Sequence, residues 1–242
     1  MRRTVLLTFF IGMMAVGGST LLAYSILHRQ PLHSLQFGVL LVITAVASHF
    51  KVKLPGLNGN MSVNLPFVLI AAVQLSLFEA LLIALLSTFV QSLPKAGGKP
   101  KAVQMLFNIS TMAVALGMGH HILQQAFVRR VPWTSMSLLV SLAAASFFLA
   151  QTIPVATIIS LTEGGNALRI WSSIFHLSFP YYVLSAGITS LVTTASHRIG
   201  WQIPLLVLPV MYGVYRSYRL YFGRAETSVR PLAMAKAAGA TG

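Results

Sequence analysis

The residues that could do chemistry in this 242-residue chain are few. The only carboxylates are Glu79, Glu163 and Glu226, and cysteine is absent. The chain therefore has almost none of the side chains needed for paired acid/base catalysis, carboxylate metal clusters or thiol chemistry. The Gly-Gly-Lys-Pro segment at 97–100 lacks both the spacing and the Ser or Thr of a phosphate-binding loop. We predict a protein without enzymatic activity and without a metal site, and the sequence leaves any cofactor unknown.

A stripe of polar and small residues is a better candidate for binding or packing. Gln104, Asn108 and Thr111 fall on one face of a helix together with Ala115 and Gly119. Small and amide side chains in such a stripe allow membrane helices to pack closely. The same side chains could line a ligand site. The sequence leaves both interpretations open.

Three further polar residues lie within apolar segments. Gln151 precedes Pro154, which should kink its helix and free a backbone carbonyl. Glu79 either caps a short helix or lies deeper as a neutral or paired proton or cation site. His120 is either an interfacial histidine solvated by water and headgroups or a ligand-responsive group. Its neighbour His121 points roughly 100° away on a helix, so we expect no shared metal.

The elements that position these residues must be membrane helices. The chain is 56% hydrophobic and only 8% charged, whereas soluble domains are about 25% charged. Its Lys and Arg residues fall between long apolar runs, as cations retained on the cytoplasmic side of a membrane do. The net charge of +14 therefore indicates membrane topology, and we expect the lipid bilayer as a partner and no nucleic acid.

We predict an all-α polytopic helix bundle of about eight hydrophobic segments in the inner (plasma) membrane. The run 61–93 is too long for one pass, so we divide it into a hairpin of two short helices that turns near Glu79. Whether this hairpin spans fully or is re-entrant stays open. The division places most of the 17 Lys and Arg residues, and both termini, on the cytoplasmic side. The other predicted segments are 5–27, 35–50, 102–127, 135–161, 179–196 and 201–222.

The predicted organisation is a helix bundle over 1–222 followed by a flexible cytoplasmic tail over 223–242. The apolar run 5–27 is interpreted as a retained helix because no small-x-small cleavage site follows it. Tyr215, Arg216, Tyr218 and Arg219 lie at the end of the last segment. We interpret them as a partner-docking surface or as an anchor against anionic lipid.

Several short motifs resemble one family of membrane modules. The sequence is similar to the multi-pass sensor module that stands at the amino terminus of bacterial HD-GYP and GGDEF signalling proteins. The resemblance covers roughly 35–226, and it implies a membrane sensing or scaffold module. The motifs that carry it are Leu54-Pro55-Gly56, the stretch 61–69, Leu77-Phe78-Glu79-Ala80, Phe107-Asn108, Gln151-Thr152, the stretches 171–175 and 179–182, Leu208-Pro209 and the stretch 215–221.

The resemblance further implies a module without its own output domain, since the chain continues for only about twenty residues beyond the similar part. Output would then require a separate cytoplasmic or membrane partner protein. A second class stays open, the substrate-binding subunit of a vitamin-type membrane transporter. Ala15, Ser19 and Ala23 form a small-x-x-x-small stripe similar to the partner-facing surface of those subunits. An accessory subunit of a larger membrane complex is the third possibility.

Overall fold

The computed structural model describes residues 2–53, 60–93, 102–128 and 136–238. Within them the chain is all-α apart from one short antiparallel pair of strands, β1 and β2, with Lys51 opposite Ser62. The predicted basic connector at 94–101 and the Leu54-Pro55-Gly56 motif lie outside the described residues. The elements are α1 (Arg2–Leu27), α2 (Ser34–His49), β1 (Lys51–Lys53), β2 (Asn60–Ser62), α3 (Leu65–Gln74), α4 (Leu77–Ser92), α5 (Ala102–Val128), α6 (Met136–Glu163), α7 (Ala167–Ile199) and α8 (Pro204–Ala238).

The hairpin of two short helices is present as α3 and α4, which confirms the division of the run 61–93. Leu75 leaves the helical conformation and Ser76 begins α4 as its amino-terminal cap. The Ser76 hydroxyl accepts a hydrogen bond from the backbone N–H of Glu79, and the Glu79 side chain returns to the backbone N–H of Ser76. This reciprocal capping box satisfies donors that an isolated helix start leaves unpaired, and it fixes the turn between the two helices.

The two helices at the carboxyl-terminal end of the chain are longer than the sequence predicts. α7 begins at Ala167, where Asn166 accepts from the backbone N–H of Leu168, whereas the apolar run begins only at 179. Hydropathy misses its first turns because they carry polar residues on their exposed side. α8 continues to Ala238, whereas the predicted apolar segment ends at 222, and the predicted tail over 223–242 stays a prediction.

In the part of the chain that the structure describes, three helices are long and apolar enough to cross a membrane by themselves: Arg3–Leu27, Ala102–Gln125 and Met136–Glu163. The apolar helices Ser34–His49, Leu65–Gln74 and Leu77–Ser92 are shorter. A helix of 10 residues such as α3 is about 15 Å long, half the thickness of a bilayer core. Length and composition thus support a helical membrane protein, and the count of eight segments stays a prediction.

α5 lies between α1 and α6 and makes close contacts with both. Gly18 of α1 approaches Ser110 so closely that an added Cβ would lie 3.0 Å from the Ser110 Cα. On another side of α5, a Cβ added to Gly119 would lie 3.4 Å from the carbonyl oxygen of Ala143 in α6. Small residues permit both approaches, as is typical of helices packed in lipid.

A buried short helix and its polar contacts as the candidate functional site

α3 is the most deeply buried helix of the described chain. All of its residues from Leu65 to Ala72 are buried, so no face of this helix is left for lipid. A buried helix of this length has polar backbone groups at both ends that must find partners inside the protein. Those partners come from α2, α5 and α7, and they define the candidate site.

The amino-terminal end of α3 is held by Tyr181 of α7. The Tyr181 hydroxyl accepts a hydrogen bond from the backbone N–H of Leu65 over 3.1 Å and donates one to the carbonyl of Ser62 over 3.0 Å. Tyr181 is itself buried. One phenol therefore joins the end of β2 to the first turn of α3 and anchors both to α7.

Asn64 links the same end of α3 to α2. Its side-chain oxygen accepts from the Ser62 hydroxyl over 2.7 Å, and its amide nitrogen donates to the Ser48 hydroxyl over 3.2 Å. Ser48 in turn donates to the carbonyl of Thr44. All four side chains are buried. The network consists of neutral groups, each with a partner, and such networks specify one arrangement of a core.

The carboxyl-terminal end of α3 is held by His120 of α5. The Nδ1 atom of His120 lies 3.1 Å from the carbonyl oxygen of Ala72, and its Nε2 atom lies 3.2 Å from the side-chain nitrogen of Gln124. These contacts assign a neutral ring that donates from Nδ1 and accepts at Nε2. His120 is buried, so the interpretation as a water-solvated interfacial residue is wrong, whereas His121 is exposed. The ring lies inside the protein because it donates a hydrogen bond to a carbonyl in the last turn of α3, which has no partner within that helix.

Gln74 connects the last turn of α3 to two further helices. Its side-chain oxygen accepts from Gln36 of α2 over 2.8 Å, and its nitrogen donates to Ser196 of α7 over 3.1 Å. Contacts at both ends of α3 thus come from α7, with Tyr181 at one end and Ser196 at the other. α3 is clamped lengthwise against α7.

Glu79 lies beside this end of α3 and caps α4 as predicted, but it is fully buried and not exposed at the outer surface, where the cap was expected. One carboxylate oxygen accepts from the backbone N–H of His33 over 2.7 Å. The other accepts from the Ser76 backbone N–H over 3.1 Å and from the Ser76 hydroxyl over 2.7 Å. Three donors without a charged partner satisfy this carboxylate, and they bind the loop before α2 to the turn before α4.

The predicted stripe of α5 is separated from these contacts. Gln104 is exposed and Asn108 half-buried, while Thr111 is buried. Gln151 of α6 meets α5 one residue further on, with its side-chain nitrogen 3.8 Å from the Met112 sulfur. The hydroxyl oxygen of Thr111 and the side-chain oxygen of Gln151 are buried and have no hydrogen-bond partner among the described residues.

The predicted docking surface divides into two parts. Tyr215 stacks on Phe50 with ring centroids 5.3 Å apart, and the half-buried Tyr218 packs against the core. Arg216 and Arg219 are exposed, and Arg219 donates to the Tyr215 hydroxyl over 3.4 Å. The tyrosines therefore attach α8 to the bundle, and the arginines are free to face lipid headgroups or a partner.

The described side chains offer no arrangement typical of catalysis or metal binding. No three His, Cys, Asp or Glu residues come together within the described ranges. The groups around α3 can exchange hydrogen bonds, and their chemistry suits conformational change more than bond cleavage.

Comparison with known families supports one of the classes that the sequence leaves open. The family model MASE9 matches residues 6–221. The chain belongs to the MASE9 family. This is a family of membrane-associated sensor domains, so the predicted sensor class and membrane location are supported in these general terms. No curated protein and no solved structure matches the chain.

The sequence interpretation missed most of the residues that surround α3 in this MASE9 chain. Ser185, Thr189 and Thr193 continue from Tyr181 along one buried face of α7. Their spacing of four residues on a helix was a readable signal, but Ser and Thr often bond their own backbone and attract little notice. The link between Asn64 and Ser48 carried no such signal, because it depends on how α2 and α3 pack.

Proposed function

We propose that the chain is a non-enzymatic integral membrane sensing module that responds to a small ligand or a partner protein within the bilayer. The response would begin in the hydrogen bonds around α3 and end at α8. The observation that carries this proposal is a series of direct contacts between those two elements. Membership of a membrane-associated sensor family supports it.

The series begins at Tyr181 and runs through the strands. Tyr181 bonds the carbonyl of Ser62, and Ser62 is paired with Lys51 in the β1–β2 ladder. Phe50, directly before Lys51, contacts Tyr212 and Tyr215 of α8 with ring centroids 5.6 and 5.3 Å apart. A shift of α7 relative to α3 would therefore displace the strands and, through them, the first half of α8.

The proposal gives Arg216 and Arg219 the role of the output surface. Both are exposed, and Arg219 is oriented by its bond to Tyr215. Guanidinium groups at a membrane surface bind anionic lipid or an acidic surface of a partner protein. A rotation of α8 would change which of these the arginines reach.

A spin label on α8 tests the series of contacts. The chain has no cysteine, so Ser217→Cys, at an exposed position, gives a single labelling site in nanodiscs. We expect Tyr181→Phe and Phe50→Leu each to raise the mobility of the label, and the double variant to raise it no further than the larger single effect. Tyr182→Phe is the matched control. If Tyr181→Phe leaves the label unchanged, the coupling is refuted.

Native mass spectrometry of the full chain, extracted gently from its host membrane, tests what the module senses. A retained small molecule supports ligand sensing. A stoichiometric protein without a ligand supports sensing or scaffolding through a partner. The absence of both, combined with an unresponsive label, would contradict the proposed function.

The proposed topology places eight segments across the inner membrane with both ends of the bundle cytoplasmic. Single cysteines at two exposed positions test this topology. Arg198 lies at the end of α7, and Arg216 lies near the middle of α8. An impermeant maleimide added to intact cells should label position 198 and spare position 216. Labelling of both positions, or the reverse pattern, would refute this topology.

A transporter substrate-binding subunit is the second candidate, favoured by one observation on α1. Ser19 and Ala23 are exposed and Ala15 is half-buried, so the small-residue stripe is open to a helix of another protein. Ser19→Leu should abolish co-purification of an energising partner in that case. Retention of such a partner in the variant would exclude this use of the stripe.

A further inference from the structure

Two buried side-chain oxygen atoms, one on α5 and one on α6, have no hydrogen-bond partner among the described residues. They are Thr111 Oγ1 and Gln151 Oε1. An unmade hydrogen bond on a buried polar group costs about 1–3 kcal/mol. Two such atoms on helices that pack against each other therefore need an explanation.

Thr111 differs from several other buried Ser and Thr residues in the hydrogen bonding of its hydroxyl group. Thr44, Thr152 and Ser185 each donate to the carbonyl four residues earlier in their own helix. This bond needs no partner outside the helix, and helical Ser and Thr side chains often satisfy their hydroxyl groups in this way. Thr111 makes no bond of this kind, and its hydroxyl oxygen has no partner among the described residues.

Gln151 presents its oxygen to the same region. Its amide nitrogen lies 3.8 Å from the Met112 sulfur, and a thioether can accept a hydrogen bond but cannot donate one. With the amide in this orientation, Oε1 is the acceptor left without a partner. Met112 follows Thr111 directly, so the Gln151 side chain reaches α5 within one residue of Thr111.

Pro154 adds a third acceptor beside Gln151. It lies inside α6 and has no N–H to donate to the carbonyl of Ala150, four residues earlier. The Ala150 carbonyl and Gln151 Oε1 of α6 and the Thr111 hydroxyl of α5 thus lie on two packed helices that are long enough to cross a membrane. All three can accept a hydrogen bond.

We propose that this part of the α5–α6 interface binds one neutral hydrogen-bond donor, an O–H or N–H group of a small guest molecule. The guest is either an ordered water molecule or the hydroxyl or amide group of an organic ligand. A cation is disfavoured because neither carboxylate among the described side chains is available. Glu79 is occupied by His33 and Ser76, and Glu163 lies several turns away at the end of α6. The inference rests on the proposed sensing function, for which it names the ligand position.

A double-mutant cycle with isosteric variants tests the site in the full chain in nanodiscs. Thr111→Val and Gln151→Met remove the oxygen atoms and preserve volume. If a guest bridges them, each variant lowers the midpoint of thermal unfolding by roughly 2–4 °C, and the double variant falls by no more than the larger single change. Thr193→Val is the matched control, because Thr193 also has a buried hydroxyl without a described partner but no second such atom beside it. We expect its midpoint to stay equal or rise.

The same variants give a different expected result if no guest binds. If the two oxygen atoms are simply unpaired, their removal relieves a desolvation cost, and both variants raise the midpoint as Thr193→Val does. Additive and stabilising effects would overturn the proposal.

Native mass spectrometry then distinguishes the two sources of the donor. A bound mass that is lost in the Thr111→Val/Gln151→Met variant identifies an organic guest. Coupling without a bound mass, together with a water cross-peak to the Gln151 side-chain amide in solid-state NMR, identifies water. A bound mass that survives in the double variant refutes this site and leaves the sensing function intact, whereas an unresponsive α8 label refutes the function.

Discussion

Replacing Tyr181 by phenylalanine should destabilise the bundle more than any other loss of one hydroxyl group. The variant keeps the ring and removes the oxygen that lies 3.1 Å from the Leu65 nitrogen and 3.0 Å from the Ser62 oxygen. Leu65 begins α3, so its N–H has no intrahelical acceptor and stays buried without a partner.

The expected magnitude follows from these two bonds. An unpaired buried N–H costs about 1–3 kcal/mol, and the lost bond to Ser62 adds about 0.5–1.5 kcal/mol. Since Ser62 is also paired with Lys51 in the strand ladder, the second contribution belongs at the lower end. We expect the free energy of unfolding to fall by about 1.5–3.5 kcal/mol.

Equilibrium unfolding of the full chain in mixed micelles measures this change, and Tyr182→Phe is the control. Tyr182 is adjacent, packs on Phe148 with ring centroids 4.8 Å apart, and its hydroxyl makes no hydrogen bond to a described residue. Hydrogen exchange should also accelerate at the start of α3 in Tyr181→Phe alone. Equal stability of the two variants, with unchanged exchange at Leu65, would refute the assignment of Tyr181 as the anchor of α3.

Two further predictions concern the turn before α4 and the contact between α1 and α5. Glu79→Gln should lower the free energy of unfolding by about 1–3 kcal/mol, because an amide nitrogen must then face a backbone or hydroxyl donor; a neutral effect in the same unfolding assay would contradict this role of the three donors. Gly18→Ala should destabilise the protein by about 1–3 kcal/mol, because its Cβ would meet the Ser110 backbone at 3.0 Å. Gly12→Ala, with open space around it, should be neutral or stabilising through helix propensity, and equal effects at the two glycines would contradict the close contact.

Local signals in the sequence determined how much of the fold could be predicted. The split between α3 and α4 was predictable because the run was too long for one pass and Ser76 precedes Glu79 by three residues, the spacing of a capping box. The end of α8 was not predictable from hydropathy, since the residues beyond 222 form no apolar run.

The candidate site could not be predicted from local signals, because its hydrogen bonds join residues that are far apart in the sequence. His120 has the sequence context of an interfacial residue, yet the carbonyl of Ala72, 48 positions earlier, determines its place. Tyr181 and Leu65 are 116 positions apart. No periodicity in either segment records these pairs, because each depends on where α3 ends and what packs around it. Identifying α3 as too short to span would have shown that such partners must exist.

The hydrogen bonds that hold α3 are made by neutral groups, and this bears on how a membrane sensor of this kind could work. The contacts of α3 are made by Tyr, Asn, Ser, Gln and a neutral His, and each has a net value of about 0.5–1.5 kcal/mol. Moving one elementary charge through the membrane involves about 2.3 kcal/mol per 100 mV, so a charged switch would respond to the membrane potential before it responded to a weak ligand. A switch built from neutral hydrogen bonds avoids this coupling. It can be shifted by a ligand that exchanges one or two of them, which is the scale of effect expected from a single donor group between α5 and α6.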